Sequence, residues 1–218
     1  LTGCSSSGSD AEASASAPAT GNDNSQYNIC TVTHGDGGGF WSVAKAGAER
    51  AASDLGVTFK YEETSNDAEK QAQLIEADTT SGCQAIAASA PNPDAIKDAM
   101  LAAKAAGIPT VTMNSGSKAF KELGAFTHVG QDEFVAGQGA GLKFKEAGAK
   151  HVLCLIQEAN NIGLQERCDG AKDTFGNVTN LQLSAGLADL AASQAEVKAA
   201  LEADSSIDAI FALNADIA

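Results

Sequence analysis

Polar side chains cluster after the predicted β-strands of this sequence, where an open parallel sheet binds its ligands. Amides and carboxylates can hydrogen-bond to vicinal hydroxyls, an arginine donates in a planar fork, and an aromatic ring can cover an apolar C–H surface. The cluster therefore suits a small polyhydroxylated ligand. Its members are His34, Asp36, Phe40, Trp41, Ser89, Asn92, Asp94, Asn114, Ser115, Ser117, Gln131, Asp132, Gln157, Glu158, Asn160, Asn161, Arg167, Asn214 and Asp216.

Each of these side chains also has an ordinary structural interpretation. Phe40 and Trp41 open an amphipathic helix, so that one of them could be a core residue. Asn114 could be a turn residue, Arg167 a solvated helix charge and Asn214 a helix cap. The residue types alone leave these alternatives open.

A dinucleotide site is the main competing interpretation of the first loop. Gly35 and Gly37 lie between a predicted strand and a predicted helix, and Glu62 and Glu63 end the next strand, where an acidic ribose ligand would lie. However, Phe40 stands where the motif needs a third glycine for close helix–sheet packing. We therefore rank this interpretation below polyol binding.

Catalytic and metal-binding patterns are weaker. Ser115 and Lys118 match the spacing S-x-x-K, but the other motifs of those serine enzymes do not accompany it. The three histidines, His34, His128 and His151, do not have the spacing of metal ligands. We therefore expect no enzyme activity, no metal and no cofactor.

Short β-rich runs alternate with amphipathic segments from residue 27 onward, and this alternation predicts how the polar loops are positioned. Parallel strands with right-handed crossover helices give an α/β fold with helices on both faces of each sheet. Helices are predicted at residues 40–55, 67–80, 93–107, 132–147, 163–175 and 189–203. Strands are predicted at residues 28–33, 57–61, 85–89, 110–113, 126–129, 151–156, 180–183 and 208–213.

The βα units form two series, which predict two Rossmann-like lobes with parallel sheets. We assign residues 27–125 to an N-terminal α/β lobe and residues 126–218 to a C-terminal α/β lobe. No helix follows the last predicted strand. We therefore expect the second lobe to be incomplete and the parent protein to be longer.

Composition excludes some classes of partner. The 218 residues are 44% hydrophobic, which is enough for a sizeable core, and carry a formal net charge of −14. A nucleic-acid-binding protein needs a basic face, so we expect no nucleic-acid partner. No apolar run approaches the ~20 residues of a membrane span.

The first four residues, Leu-Thr-Gly-Cys, resemble a bacterial lipobox, in which the cysteine receives a lipid. Residues 5–26 contain no Leu, Ile, Val or aromatic residue, so they cannot bury enough apolar surface to fold. We expect Cys4 to be lipidated, residues 1–26 to be a lipobox and disordered tether, and the protein to be extracytoplasmic and anchored to the cell membrane. An accidental match at Cys4 is the alternative.

The other four cysteines form an even set, as expected of disulfides in an extracytoplasmic protein. We predict one disulfide between Cys30 and Cys83 and another between Cys154 and Cys168. Because no two have C-x-x-C spacing, a zinc site is disfavoured. Four buried thiols remain the alternative.

Five segments resemble, in the same order, the ribose/galactose-type periplasmic binding proteins. In that family two α/β lobes, joined by a hinge of several chain crossings, close over a sugar in the type I fold. The resemblance extends over residues 27–218. The segments are residues 39–57, 108–114, 128–141, 165–175 and 208–218.

The resemblance implies ligand contacts by position. Phe40 and Trp41 stand where the family stacks an aromatic ring on the sugar, and Arg167 stands where a helix-borne arginine binds ring oxygens. Ser89 and Gln131 differ from the residues that the family often has there, which leaves the substrate open. The remaining implied contacts are Asn114, Asn161 and Asn214.

The resemblance also implies a function. It indicates a monomeric solute-binding protein that captures a pentose- or hexose-like sugar and delivers it to the membrane subunits of an ABC importer by hinge closure. A polyol or a signalling furanone, taken up or sensed, is the first alternative. The effector domain of a sugar-responsive repressor is the second, but a lipobox and an acidic tether stand here in place of a DNA-binding headpiece.

Overall fold

Two parallel β-sheets with connecting helices form the protein. The computed structural model describes residues 24–35 and 37–218. The first sheet has the strand order β2-β1-β3-β4-β5 and the second the order β7-β6-β8. The elements are β1 (Asn28–Thr33), α1 (Gly39–Leu55), β2 (Thr58–Glu63), α2 (Ala68–Thr80), β3 (Ala85–Ser89), α3 (Pro93–Ala105), β4 (Thr110–Met113), β5 (Thr127–Val129), α4 (Glu133–Glu146), β6 (Val152–Ile156), α5 (Ile162–Phe175), β7 (Val178–Gln182), α6 (Leu190–Ala203) and β8 (Ala209–Ala212).

Side-chain caps fix where helices α2 to α6 begin. Each cap is an Asp or Asn whose oxygen accepts a hydrogen bond from a backbone N–H of the first helical turn, which otherwise has no partner. This local chemistry explains why the predicted helix starts agree with the structure to within a residue or two. The caps are Asp67, Asn92, Asp132, Asn161 and Asp189.

The core of the first sheet lies between its central strands and helices α2 and α3. Val32 of β1 and Ala88 of β3 pack with Ile75 of α2 and with Ile96 and Met100 of α3, and all five are fully buried. Right-handed crossovers place α1 on the opposite face, since β2 and β3 lie on opposite sides of β1.

In the second sheet, β6 is the central strand and is buried throughout its length. Val152, Cys154 and Ile156 face a cluster that includes α5, whereas Leu153 and Leu155 face α6. A strand buried on both faces is continuously apolar, as the sequence VLCLI is.

The structure corrects the predicted lobe boundary. Strand β5 pairs with β4 in parallel, with His128 opposite Thr112, so residues 127–129 belong to the first sheet. We expected residues 126–129 to open the second lobe because a helix follows them. That helix, α4, packs against α5 of the second sheet, so the chain changes sheet between β5 and α4. Strand-then-helix order could not reveal this change, because the pairing is decided by long-range contacts.

Both predicted disulfides are present. Cys30 bonds to Cys83 with a Cα–Cα distance of 5.8 Å, and Cys154 bonds to Cys168 at 5.9 Å. The first links β1 to the loop before β3, and the second links β6 to α5. Each therefore fastens a central strand to a neighbouring element.

Two further expectations meet the limits of the described residues. The predicted lipidation site, Cys4, lies outside the residues that the structure describes. So do residues 1–23 of the segment 1–26 that was predicted as a lipobox and tether. Among the described helices, none combines the length and the apolarity that crossing a membrane requires.

Candidate ligand-binding site

A cavity of about 720 Å³ lies where the carboxyl ends of the two sheets face each other. Loops after β1, β4 and β5 contribute one wall, and loops after β6 and β8, together with α5, contribute the other. Its volume is within the range typical of small-molecule sites. Seven of the eight predicted contact residues line it: Phe40, Trp41, Asn114, Gln131, Asn161, Arg167 and Asn214.

An aromatic corner lines one side of the cavity. The rings of Phe40 and Trp41 meet edge to face with centroids 5.1 Å apart, and Phe40 is 55% exposed whereas Trp41 is only 5% exposed. Trp41 is buried against the loop that follows β1. A Cβ atom on Gly35 would lie 2.9 Å from its ring, so this glycine permits the close approach.

Ser89 does not line the cavity, which corrects its predicted role as a ligand contact. Its side chain is fully buried, and its hydroxyl accepts a hydrogen bond from the His34 N–H at 2.9 Å and lies 2.7 Å from His34 Nδ1. The Gln71 amide donates to the Ser89 carbonyl at 2.8 Å. Ser89 therefore positions His34, which does line the cavity.

A buried polar cluster joins the two walls. Asn161 Nδ2 donates to Glu158 Oε2 at 2.5 Å, and its Oδ1 accepts from Ser115 Oγ at 3.1 Å across the cavity. His34 Nε2 lies 3.5 Å from the same Glu158 oxygen. Asn161 also caps α5 by accepting from the Gly163 N–H at 3.0 Å. The N-cap of one helix thus holds side chains from both sheets.

Arg167 is held in place by groups on two other elements. Its Nε and Nη2 each lie 2.6 Å from Glu133 Oε2, and its Nη1 donates to the Leu213 carbonyl at 3.0 Å. The guanidinium has two further N–H groups, one on each terminal nitrogen. Gln131 donates to the same Glu133 oxygen at 3.1 Å. Glu133 therefore fixes the positions of both Arg167 and Gln131.

The two remaining asparagines end strands. Asn114 follows β4 in the left-handed backbone region, with φ 61°, and Asn is one of the residues that tolerate it. Its side-chain oxygen lies 3.0 Å from Ser115 Oγ, so Asn114 and Asn161 share the single O–H donor of Ser115. The oxygen of Asn214, which follows β8, accepts from the Asp216 N–H at 2.5 Å. Both residues line the cavity, and these contacts do not use their amide nitrogens.

The charge of Glu158 is maintained inside the protein. Burial alone would raise the pKa of this carboxyl, but the hydrogen bond and charge of His34, the hydrogen bond from Asn161 and the charge of Arg167 together lower the pKa below its ordinary value. Glu158 is therefore an anion at neutral pH.

Sequence reasoning missed Glu133 altogether and did not select His34 or Glu158 from the larger set of loop residues. Glu133 follows an N-cap aspartate, where an acidic residue is explained by the helix dipole. Its 3% exposure was the distinguishing feature, and burial of a first-turn residue depends on tertiary packing. In the loop of Glu158, the resemblance implied Asn161 as the ligand contact, so Glu158 was not selected.

The side chains of Ser115 and Lys118, which match S-x-x-K in the sequence, have separate partners in the structure. Lys118 pairs with Glu166 at 3.3 Å, whereas the Ser115 hydroxyl bonds to the side chains of Asn114 and Asn161. Ser115 therefore has no lysine base beside it.

Comparison with known proteins supports the architecture. Residues 29–218 match the model of a family described as periplasmic binding protein domain. No curated protein matches the chain.

Solved structures match over most of the chain. A carbohydrate transporter from Acidothermus cellulolyticus, crystallised with myo-inositol, is 39% identical with a TM-score of 0.83, and the match covers 88% of this chain and 66% of that one. A periplasmic sugar-binding protein of an ABC sugar transporter from Legionella pneumophila is 25% identical with a TM-score of 0.82, covering 88% and 72%. A solute-binding protein from Burkholderia graminis in complex with D-arabinose is 21% identical with a TM-score of 0.79, covering 90% and 68%, and supports the fold alone.

The predicted fold class is confirmed, with the lobe boundary moved as described. The chain spans just under two thirds of the Acidothermus protein. Two parallel sheets that share a cavity, a family model matched over nearly all the described residues and a 39% identical relative agree with one another. The chain belongs to the periplasmic binding protein domain family.

Proposed function

We propose that this chain binds a small sugar of pentose or hexose size and delivers it to an ABC importer. The observation that carries the proposal is the cavity itself, because it combines an aromatic corner with amides, carboxylates and one arginine contributed by both sheets. Sugars need this combination, since each presents vicinal hydroxyls and an apolar C–H face.

The cavity residues divide the recognition of a sugar among them. The exposed ring of Phe40 and the edge of Trp41 can cover the C–H face. The amide nitrogens of Asn114 and Asn214 can donate to hydroxyl oxygens, and the two unused N–H groups of Arg167 can reach a ring or anomeric oxygen. The resemblance to sugar-binding proteins and the myo-inositol complex of the 39% identical structure support a polyhydroxylated ligand.

Transport requires the two lobes to open and close around the ligand. Contacts from both walls would make the closed arrangement the one that binds sugar best, so that sugar shifts the population toward it. The closed form would then dock on the membrane subunits of the importer. No bond in the ligand is made or broken in this scheme.

Location and anchoring belong to the same proposal. We expect the protein to act outside the cytoplasm as a monomer, attached to the membrane by a lipid on Cys4. Two disulfides support an oxidising compartment.

A cyclic polyol is the second candidate ligand. The 39% identical carbohydrate transporter from Acidothermus cellulolyticus was crystallised with myo-inositol. Such a ring presents only hydroxyls and C–H groups and has no ring oxygen for Arg167 to bind, so the two candidates can be separated by titration.

The test uses the fluorescence of Trp41, the only tryptophan in the sequence. The full-length protein is titrated with pentoses, hexoses and myo-inositol, and binding is checked by calorimetry. We expect a saturable change and a 1:1 stoichiometry for one ligand. No heat and no fluorescence change with any of them would overturn the proposal.

A matched pair of variants ties binding to the cavity. Asn114→Gly removes the side-chain amide from the cavity, and glycine tolerates the φ of 61° at this position. Asn66→Gly is the control, because it removes an exposed amide outside the cavity at a position with φ 62°. We expect Asn114→Gly to weaken binding about tenfold, as the loss of one or two hydrogen bonds predicts. Equal affinities of the two variants would remove Asn114 from the site.

A further inference from the structure

The charged groups around the cavity leave an excess of negative charge. Three carboxylates, Glu133, Glu158 and Asp216, line it, and Arg167 is the only Lys or Arg among its described lining residues. His34 is the other lining residue that can carry positive charge. The three carboxylates outnumber the positively charged groups whether His34 is neutral or protonated.

Arg167 cannot serve as a free receptor for an anion. Two of its nitrogens lie 2.6 Å from one oxygen of Glu133, whose side chain is only 4% exposed. Such a buried pair is neutral as a unit, and a ligand anion would have to compete with Glu133 for the guanidinium. Arg167 can still donate to an uncharged oxygen through its unused N–H groups.

Arg167 pairs with Glu133, so Glu158 and Asp216 are the two lining carboxylates that it does not neutralise, and Glu158 is the less exposed of the two. Its side chain is 13% exposed, and Asn161 and His34 fix the position of Oε2 from the two walls of the cavity. Asn161 brings no charge, and His34 Nε2 is 3.5 Å away, at the limit of a hydrogen bond. The other ring nitrogen of His34 lies 2.7 Å from Ser89 Oγ, a contact that ties the imidazole to the first wall.

We infer that Glu158 is a specificity-determining residue that admits neutral and amino-substituted sugars or polyols and rejects their acidic and phosphorylated forms. The inference rests on the proposed function and names its substrate class. A carboxylate fixed in a partly desolvated cavity repels a ligand anion more strongly than a solvated one would, and an unpaired like charge is an effective means of excluding a wrong ligand. A ligand hydroxyl or ammonium group can instead donate to Glu158.

The experiment compares ligands that share a ring and differ in one substituent, which is neutral, cationic or anionic. Calorimetry on the full-length protein is carried out with D-glucose, D-glucosamine and D-glucuronate, with the corresponding galactose series, and with myo-inositol and myo-inositol 1-phosphate. In the series whose neutral member binds, we expect the anion to bind at least about tenfold more weakly than the neutral member. Where the series has an amino member, we expect its affinity to lie within about threefold of that of the neutral member. The same titrations are repeated with Glu158→Gln and with the control Glu146→Gln, which removes an equal charge from an exposed position outside the cavity.

We expect Glu158→Gln to reduce the discrimination against the anion at least fivefold and Glu146→Gln to leave it unchanged. Thermal unfolding of both variants confirms that they are folded, and the ratio of affinities cancels any general loss of binding. An anion that binds within twofold of the neutral ligand, or a ratio that Glu158→Gln does not change, overturns the inference and leaves the proposed function standing. If no neutral member of these series binds, the inference fails, whereas the proposed function fails only if no pentose or other hexose binds in the Trp41 titration either.

Discussion

At the residue scale, the cavity depends on side chains that position the ligand-binding residues without contacting the ligand themselves. Arg167 was predicted from the sequence, but its direction is set by Glu133 and by the Leu213 carbonyl, which lie 34 and 46 residues away in the chain. Ser89 likewise acts through His34. Most residues predicted from the sequence line the cavity. Only the structure shows which side chains line it and which, like Ser89, hold a lining residue in position.

The pairing of Glu133 with Arg167 should be measurable as stability. We expect Glu133→Gln to lower the free energy of unfolding by about 1.5–3 kcal/mol, because a buried charge-assisted hydrogen bond is lost. Glu69→Gln is the control, since Glu69 also lies in a first helical turn but is exposed, and we expect it to cost about 0.5 kcal/mol. Urea denaturation followed by Trp41 fluorescence measures both, and equal costs would show that Glu133 acts only on the helix dipole.

The lowered pKa of Glu158 gives a pH dependence with a definite sign. Its pKa in the folded protein lies below the ordinary value of 4.5, so the folded state favours the ionised carboxylate and gains stability above that pH. This contribution is lost as the pH falls below 4.5 and through the folded pKa. We therefore expect the difference in unfolding free energy between the natural protein and Glu158→Gln, about 1 kcal/mol at pH 7, to shrink between pH 5 and pH 3. A difference that stays constant over this range would contradict the assignment.

At the element scale, glycines determine how closely α4 and α5 approach. A Cβ atom on Gly137 would lie 2.0 Å from the Arg167 carbonyl oxygen, and one on Gly170 would lie 2.0 Å from the Phe134 carbonyl oxygen. Neither position has room for a side chain. The helix that bears Arg167 is thereby held against the helix that begins with Glu133.

Replacing Gly137 by alanine should separate these helices. We expect Gly137→Ala to destabilise the protein by about 2–3 kcal/mol, because the backbone of α5 must move to avoid overlap. Gly139→Ala, in the same helix with open space around it, should stabilise by about 0.5–1 kcal/mol through helix propensity. Chemical denaturation distinguishes them, and the helix contact would be refuted by a similar effect of both substitutions.

At the scale of the whole molecule, contacts already cross between the two sheets in the structure. The Ile162 N–H donates to the Pro91 carbonyl at 2.9 Å, and Lys118 pairs with Glu166 at 3.3 Å. The Ser115–Asn161 hydrogen bond adds a buried link at the cavity. The arrangement therefore resembles the closed state that the proposed mechanism requires.

Closure gives a prediction for the shape of the protein in solution. We expect small-angle scattering of the full-length protein to show a smaller radius of gyration at a saturating concentration of the ligand found by titration, because ligand selects the closed lobes. An epimer that does not bind serves as the control for effects of added sugar. An unchanged radius with the bound ligand would argue against hinge closure.

The sequence by itself determined the elements, because their signals are local. Periodicity defined the helices and strands, Asp and Asn caps fixed helix starts, and even cysteine usage anticipated both disulfides. Only the tertiary structure decided that β5 joins the first sheet, that Ser89 faces His34 and that Glu133 is buried against Arg167. Those outcomes depend on which distant segments pack together, and hydrophobic periodicity carries no information about the partner that a strand or a charge will find.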